Sequence, residues 1–268
     1  MDLRPTTVDD LPAMHAIFGD AIASVFAPRG LEPPAMTLAA FSWIQAHLLA
    51  TGTCRVAEEN GVVVGYASAW QRGDDWFLGS LFVGPGAHGR GVGSRLLDSV
   101  WGEASRRRTI TDAIQPVSNA LYGRRGLIPA TPVLTFEGVP DLAEPAGEAG
   151  ADVAALDAAA YGFDRGVDHE AWQRIARLST WRDAYSYSGR GHVGPVAGAT
   201  PAAAARALAA ELTRADGPVR VRIPGSSRAL VAVALRARLR LANAPGLLLL
   251  SEGAEPPTAL ALSGYTLY

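Results

Sequence analysis

The chain reads as an α/β (α+β) protein in two units, and three observations carry that reading. Apolar segments of alternating and helical periodicity follow one another through the first half, so strands and helices interleave. An apolar strand, Trp76 to Val83, runs into a glycine-dense turn that opens straight into a helix. After the stretch GVPDLAEPAGEAG, whose composition is that of a linker, a similar order of elements begins again.

In the first unit, Leu3 to Pro5 is a short strand, and Asp9 and Asp10 cap a helix to about Asp20. Thr37 precedes a second helix in which Leu38, Phe41, Ile44, Gln45 and Leu48 fall near one face. Arg55 to Glu58 and Val62 to Trp70 are strands joined by the hairpin turn Glu59-Asn60-Gly61. Beyond Trp76 to Val83, the next helix buries Leu96, Leu97, Val100, Trp101 and Ala104 and ends on Arg106 to Arg108, read as a solvated terminus suited to the helix dipole. Thr109 to Ile114 is a strand, Ser118 caps a short helix, and Val133 to Phe136 closes the unit.

The boundaries are therefore 1–138, a linker at 139–150, and 151–268. In the last part Ala151 to Ala160 and His169 to Leu178 read as helices, Asp183 to Ser188 and His192 to Ala197 as a hairpin. Thr200 and Pro201 start a helix; Val219 to Ile223 is a strand, Ser226 to Leu239 a helix, and Leu247 to Leu250 and Ala259 to Leu262 closing strands. This unit has one strand fewer than the first. It reads as a smaller, degraded copy in which AGATPA stands where the first has HGRGVG, so its helix start is capped without a row of exposed amides.

Composition narrows the function. The 268 residues carry a formal charge of −2, and neither half is a basic nucleic-acid surface. The single cysteine, Cys54, excludes a disulfide framework and a thiolate metal cluster and suits a reducing cytoplasm. The five histidines show no metal-ligand spacing, and Asp168-His169-Glu170 reads as a helix start. No signal peptide or membrane-spanning apolar run is expected. The lack of lysine among 24 basic residues reads as a genomic bias.

The glycine turn is the candidate binding element. Backbone amides stripped of side chains at a helix start form a cradle for phosphate, favoured by the helix dipole. Gly89, Gly91 and Gly93 let the chain approach an anion closely and adopt positive φ. Gly84, Gly86 and Gly89 formally fit a dinucleotide fingerprint, but several strands precede them and Asp112 is the only loosely placed ribose acid. A nucleoside-triphosphate loop needs a lysine, which the chain lacks.

The segment His88-Gly89-Arg90-Gly91-Val92-Gly93, after LFVGP and before an amphipathic helix, resembles the pyrophosphate loop of the GNAT superfamily of acyl-CoA-dependent N-acyltransferases. His88 departs from the Gln or Arg usual at the first position. Asn119, Tyr122 and the turn ending at Gly126-Leu127 resemble the family's later motif, and together the two motifs cover Leu3 to about Glu137. The resemblance implies a mixed central sheet flanked by helices, and the two-unit layout resembles tandem bacterial members whose C-terminal copy lacks a cofactor site.

What the resemblance implies for chemistry is specific. Acetyl-CoA would place its pyrophosphate on the amides of Gly89, Arg90, Gly91, Val92, Gly93 and Ser94, beside His88, and its pantetheine along Leu81, Phe82 and Val83 as an added strand. Leu81 or Phe82 would donate a backbone N–H to the thioester oxygen. Tyr122 would be the general acid toward the departing thiolate, and Asn119 would bond pantetheine or the Tyr-bearing turn. An alkyl ammonium with pKa ~10.4 is about one part in a thousand free base at pH 7.4, a deficit of roughly 4 kcal/mol, so a base is needed. Asp74, Asp75 and Glu58 are the candidates, each with an exposed loop acid as its plain alternative. Trp43, Trp70 and Trp76 could wall an acceptor pocket. The expected activity is direct acetyl transfer to a small-molecule or peptide amine in a ternary complex, without metal, by a monomer or homodimer. A non-catalytic acyl-CoA-binding or sensory module is the rival, and a nucleotide-binding protein the second.

Overall fold

The computed structural model describes residues 1–143, 150–242 and 244–268; half of the expected linker, residues 144–149, lies outside the described residues. In the first half β1 (Asp2–Pro5) leads to α1 (Leu11–Phe26) and α2 (Leu38–Thr51), then to β2 (Thr53–Glu59), β3 (Val62–Arg72) and β4 (Asp75–Val83). Next come α3 (Val92–Val100), β5 (Arg106–Asp112), α4 (Pro116–Gly123) and β6 (Ile128–Gly138). The second half holds α5 (Val153–Tyr161), α6 (Gly166–Trp172), β7 (Arg177–Trp181), β8 (Ala184–Gly189) and β9 (His192–Gly198). It continues with α7 (Pro201–Thr213), β10 (Val219–Pro224), α8 (Arg228–Arg236), β11 (Arg240–Leu241), β12 (Gly246–Leu250) and β13 (Leu260–Ala261).

Local chemistry sets many of these bounds. The Thr37 hydroxyl accepts from the Ala40 amide, Asp152 from Ala155 and Thr200 from Ala203, so three helices start on side-chain caps. Asn60 and Gly61 both take positive φ (51° and 79°), the conformation a two-residue hairpin turn requires. The α1 helix is longer than its sequence signal. With the short turn before it and the one after, Val8–Arg29 is long and apolar enough by composition to cross a membrane, yet Leu11, Met14 and Ile17 pack on Phe41, Val56 and Tyr66.

Both halves contribute to one mixed sheet, ordered β1-β2-β3-β4-β5-β12-β6-β10-β9-β8-β7. The division at 138 falls inside this sheet, because β12 from the second half lies between β5 and β6 of the first, antiparallel to both. In turn β6 pairs along its length with β10. The Leu247 to Leu250 strand is thus central and not a closing one. Its residues explain why: Leu247 and Leu249 face the α3 side while Leu248 and Leu250 face a core shared with α5, so both faces are covered by protein. That shared core joins Leu48, Trp70 and Phe77 of the first half to Tyr161, Phe163, Trp172, Tyr185 and Tyr268 of the second.

Two other expectations are corrected. Arg106 to Arg108 do not end a helix but open β5, because Arg106 and Arg108 both reach Asp75 on the neighbouring strand. Residues 177–178 belong to a strand, not a helix: α6 stops at Trp172, and β7 pairs with β8 through Leu178 on Tyr187 and Thr180 on Tyr185. With β7 and β11 added, the second half has no shortage of strands among the described residues.

Two parallel pairs splay. β4 and β5 run together from Asp75/Arg106 only to Leu78/Thr109. β9 and β10 pair only at His192/Arg220 and Val193/Val221. The second opening is filled by the chain itself: Leu260 and Ala261 pair with β9, and Leu262 bridges Arg222 of β10.

Candidate functional site

The first opening lies beside the glycine loop. Gly89 and Gly91 adopt left-handed φ values of 74° and 78°, and Gly91 is the residue before α3. The first helical hydrogen bond runs from the Arg95 amide to the Gly91 carbonyl at 3.1 Å, leaving the amides of Val92, Gly93 and Ser94 without a helical acceptor. No atom lies within 4 Å of where a side chain on Gly89 or Gly91 would begin, so the loop face is open. Arg90 is half exposed and bonds Glu59 at 2.5 Å; Arg125 stands at the first turn, 2.7 Å from the Ser94 hydroxyl. The equivalent turn of the second half is closed, since a Cβ on Gly198 would stand 2.5 Å from the Ala204 amide nitrogen.

β4 approaches this loop with a bulge. Ser80 lies opposite Ser68 but Leu78 opposite Ala69, so Gly79 is the extra residue. Beyond it the ladder alternation assigns each amide a side. The Gly84 amide bonds Val64 on β3, so Phe82 and Ser80, two and four residues back, also face β3. Leu81 and Val83 therefore turn their backbone groups to the unpaired edge. Of the two expected donors it is Leu81, not Phe82, whose N–H is at that edge. The His88 imidazole already occupies the Val83 carbonyl, with Nε2 at 2.9 Å.

Tyr122 and Asn119 lie three residues apart on α4, so both are inside the helix; Gln115, not Ser118, caps it. Tyr122 is buried with Leu96, Leu97, Val92 and Leu127, next to Leu81 and Val83. Burial pushes its phenol well above the ordinary value, with a Ser118 hydrogen bond partly offsetting. Asn119 donates weakly to the carbonyls of Asp112 and Ala113, at 3.5 and 3.4 Å. Its Oδ1 is buried with no partner. An orphaned acceptor beside an open strand edge suits an amide-bearing ligand.

The three expected carboxylates are not brought together at this opening. Asp75 is 1% exposed and clamped between Arg106, at 2.7 Å, and Arg108. Asp74, beside it, accepts from the Ser105 hydroxyl and amide, which hold it below the usual carboxylate range. Both sit at the start of β4, about 25 Å from the loop along an extended strand. Glu58 is nearer the loop end of the sheet but pairs with Arg4 at 2.8 Å. Trp70 and Trp76 do not share a pocket: the first stacks on Phe77 in the inter-half core, the second lies under α3 with Nε1 donating to Val100. Trp43 stacks on His47. Cys54 is buried on β2, its thiol pushed up by burial.

One carboxylate at the opening was read only as a ribose acid. Asp112 ends β5, three residues past the last β4 pair, and has no ion pair or side-chain hydrogen bond among the described residues. Burial pushes it up to about 6. The signal was present in the sequence: Asp112 is the only acid between Glu103 and Glu137.

A loop of free amides at a helix start, a bulged strand with an open edge and a following Tyr-bearing helix thus lie together at one end of β4. Residues 20–127 match the family model described as the acetyltransferase (GNAT) family. An acetyltransferase candidate of Pyrococcus horikoshii is similar over 99% of this chain and 95% of its own, at 20% identity and a TM-score of 0.79. A GCN5-related N-acetyltransferase of Sphaerobacter thermophilus is similar over 96% and 98%, at 14% identity and a TM-score of 0.62. These likenesses show that the fold of the whole chain, second half included, is shared. A candidate acetyltransferase of Salmonella typhimurium, yncA, solved with its cofactor acetyl-CoA, covers 50% of this chain and 83% of its own at 24% identity, with a TM-score of 0.40. No curated protein sequence matches the chain.

Proposed function

We propose that the chain transfers an acetyl group from acetyl-CoA to an amine by direct attack in a ternary complex, using the first half alone for the cofactor. The observation that supports it most is the adjacency of three free amides, at Val92, Gly93 and Ser94, to a strand edge released from β5 after Leu78. When bound, acetyl-CoA supplies an activated thioester. Gly89 through Ser94 would hold the pyrophosphate by backbone donation, while Arg125 at the same turn donates to the Ser94 hydroxyl and is paired with Asp98 at 2.6 Å. Leu81 and Val83 would hold the pantetheine as an added strand, His88 leaving the Val83 carbonyl, and Asn119 Oδ1 would accept from one of its amides.

The Leu81 N–H, fixed by the ladder, is the donor that would polarise the carbonyl. A Tyr122 phenol kept protonated by burial would give its proton to the departing sulfur. The second half contributes no cofactor site, because β13 occupies its opening and Ala204 blocks its turn.

Calorimetry with CoA and acetyl-CoA on wild type and on Gly91→Glu tests the binding half of this reading: one site per chain, lost in the variant. Two sites per chain would refute the assignment of the second half. Tyr122→Phe tests the chemistry. Turnover should fall at least ~100-fold with unchanged CoA affinity, within the usual span for a general acid. A wild type that binds acetyl-CoA but acetylates no amine favours a sensory module.

A further inference from the structure

We infer that Asp112 is the catalytic base, the carboxylate that takes a proton from the acceptor amine. This rests on the acetyl-transfer reading above. Asp112 stands on the β5 arm of the opening, facing β4 across the gap left after Leu78 and Thr109. Within β5, alternation puts its side chain on the same face as Ile110 and Arg108. Ile110 belongs to the core shared by the two halves, and Arg108 lies 5.5 Å from the Phe163 ring. That face is opposite the one on which α3 and Tyr122 pack. Acid and base would thus approach the thioester from opposite faces of the sheet, Asp112 toward the incoming amine and Tyr122 toward the sulfur.

The surroundings of Asp112 are built by the second half. Its strand neighbour is Gly246 of β12, and a Cβ on Gly246 would stand 2.6 Å from the Tyr265 hydroxyl. Tyr265 thus lies on the absent side chain of Gly246, in the same row as Asp112. Of the groups packed around Asp112, Tyr265 is the titratable one that faces it, and Arg222 lies beyond, 5.5 Å from the centre of the Tyr265 ring. No cation of the described chain pairs with Asp112, which leaves its charge for an incoming ammonium. Thr266, the next residue, rests on the Gly79 bulge and completes the floor of the same opening. Burial also sets Asp112 near neutrality, where a carboxylate takes a proton most readily from an amine while staying largely ionised at pH 7.

The step balances without further reagents. The ammonium gives one proton to Asp112, and the freed nitrogen pair forms a bond to the acetyl carbonyl carbon. The carbon–sulfur bond breaks with its pair on sulfur. The second proton lost from nitrogen passes to solvent, sulfur takes the Tyr122 proton, and solvent restores the phenol. Asp112 then releases its proton to water.

The test uses the full chain as wild type, Asp112→Asn and Asp112→Glu. Acetyl-CoA is titrated calorimetrically, and thiol release is followed with propylamine, lysine and spermidine from about pH 5 to about pH 9, a range that brackets the shifted carboxyl. Acetyl-CoA affinity should agree within about twofold across the three proteins, and thermal melting of Asp112→Asn should be equal or higher, since a half-buried unpaired charge is removed. Asp112→Asn should lower kcat/KM by ~100-fold or more and abolish the rising limb near pH 6, with Asp112→Glu restoring part of both. A rate within about threefold of wild type, or an unaltered limb, overturns the assignment even where acetyl-CoA binding is intact. So does a wild type that binds acetyl-CoA and acetylates none of the three amines. Absence of acetyl-CoA binding in wild type overturns the acetyl-transfer reading itself, and is recognised by a flat titration.

Discussion

Gly79 and Thr266 are in backbone contact: a Cβ built on Gly79 would lie 2.7 Å from the Thr266 carbonyl oxygen. The bulge of β4 is therefore shaped to receive the closing segment of the chain, which also takes a long hydrogen bond from Trp70 Nε1 at 3.4 Å. Since the obstructing atom is backbone, it cannot swing aside. Gly79→Ala should cost about 1–3 kcal/mol through overpacking, measured as a lower midpoint in denaturant, and Thr266→Ala should not relieve it. Full stability in Gly79→Ala would show that the segment is free to move off the bulge.

Asp75 predicts a stability phenotype in place of a catalytic one. Asp75→Asn leaves Arg108, 6% exposed, without its counter-charge, and breaking such a buried pair typically costs about 3–5 kcal/mol. Thermal unfolding should show the loss. Where the variant still folds, the pH dependence of acetyl transfer should be that of wild type, since the pair sits at the opposite end of β4.

Two half-buried groups oppose each other in acid. His192 is held at about 4, first by burial and then by Arg222, so on acidification the unfolded chain takes up this proton from its ordinary pKa of about 6.5 while the folded chain waits. That contribution to stability is present above pH ~6.5 and drains away toward pH 4. Asp112, raised to about 6, does the reverse: its folded form binds a proton before the unfolded one, so stability is regained as pH falls from about 6 to about 4. Wild type should accordingly show little net slope from these two groups between about pH 4 and 6. Asp112→Asn should unmask a fall of at most about 3 kcal/mol over that window, read from urea unfolding at a series of pH values. A flat profile in the variant would refute the His192 contribution.

The exchange of β6 and β12 predicts that the halves do not part cleanly. A fragment ending at residue 143 lacks the strand between β5 and β6 and leaves Val133 and Phe136 without the partners they bury against. Circular dichroism and amide exchange should find it unfolded or aggregated, and a fragment from residue 150 onward likewise, with mixing of the two restoring structure. A monomeric, cooperatively folding fragment 1–143 would contradict this.

What could be read from the sequence was what short-range chemistry determines. Thr37 and Thr200 announce their helices because a cap acts over three residues, and Asn60-Gly61 announces its hairpin for the same reason. The glycine loop was legible because free amides need the absence of side chains. The Arg run was misread because its determinant, Asp75, lies about thirty residues upstream and becomes a neighbour only through parallel pairing. The four leucines of β12 were read as a closing strand, since nothing local shows which strands would flank them. Asp112 was read only as a loosely placed ribose acid, since nothing local marks the point where two strands part.

The interleaving of β12 also sets a schedule for synthesis. β5 is complete about 130 residues before β12 leaves the ribosome, which at 5–20 residues per second is on the order of ten seconds. Through that interval the nascent chain lacks the strand that pairs with the β5 edge in the finished sheet. β12 therefore joins the sheet only when the last tenth of the chain emerges, so the yield of folded protein should depend on how fast the chain is translated and how far its nascent copies are kept apart.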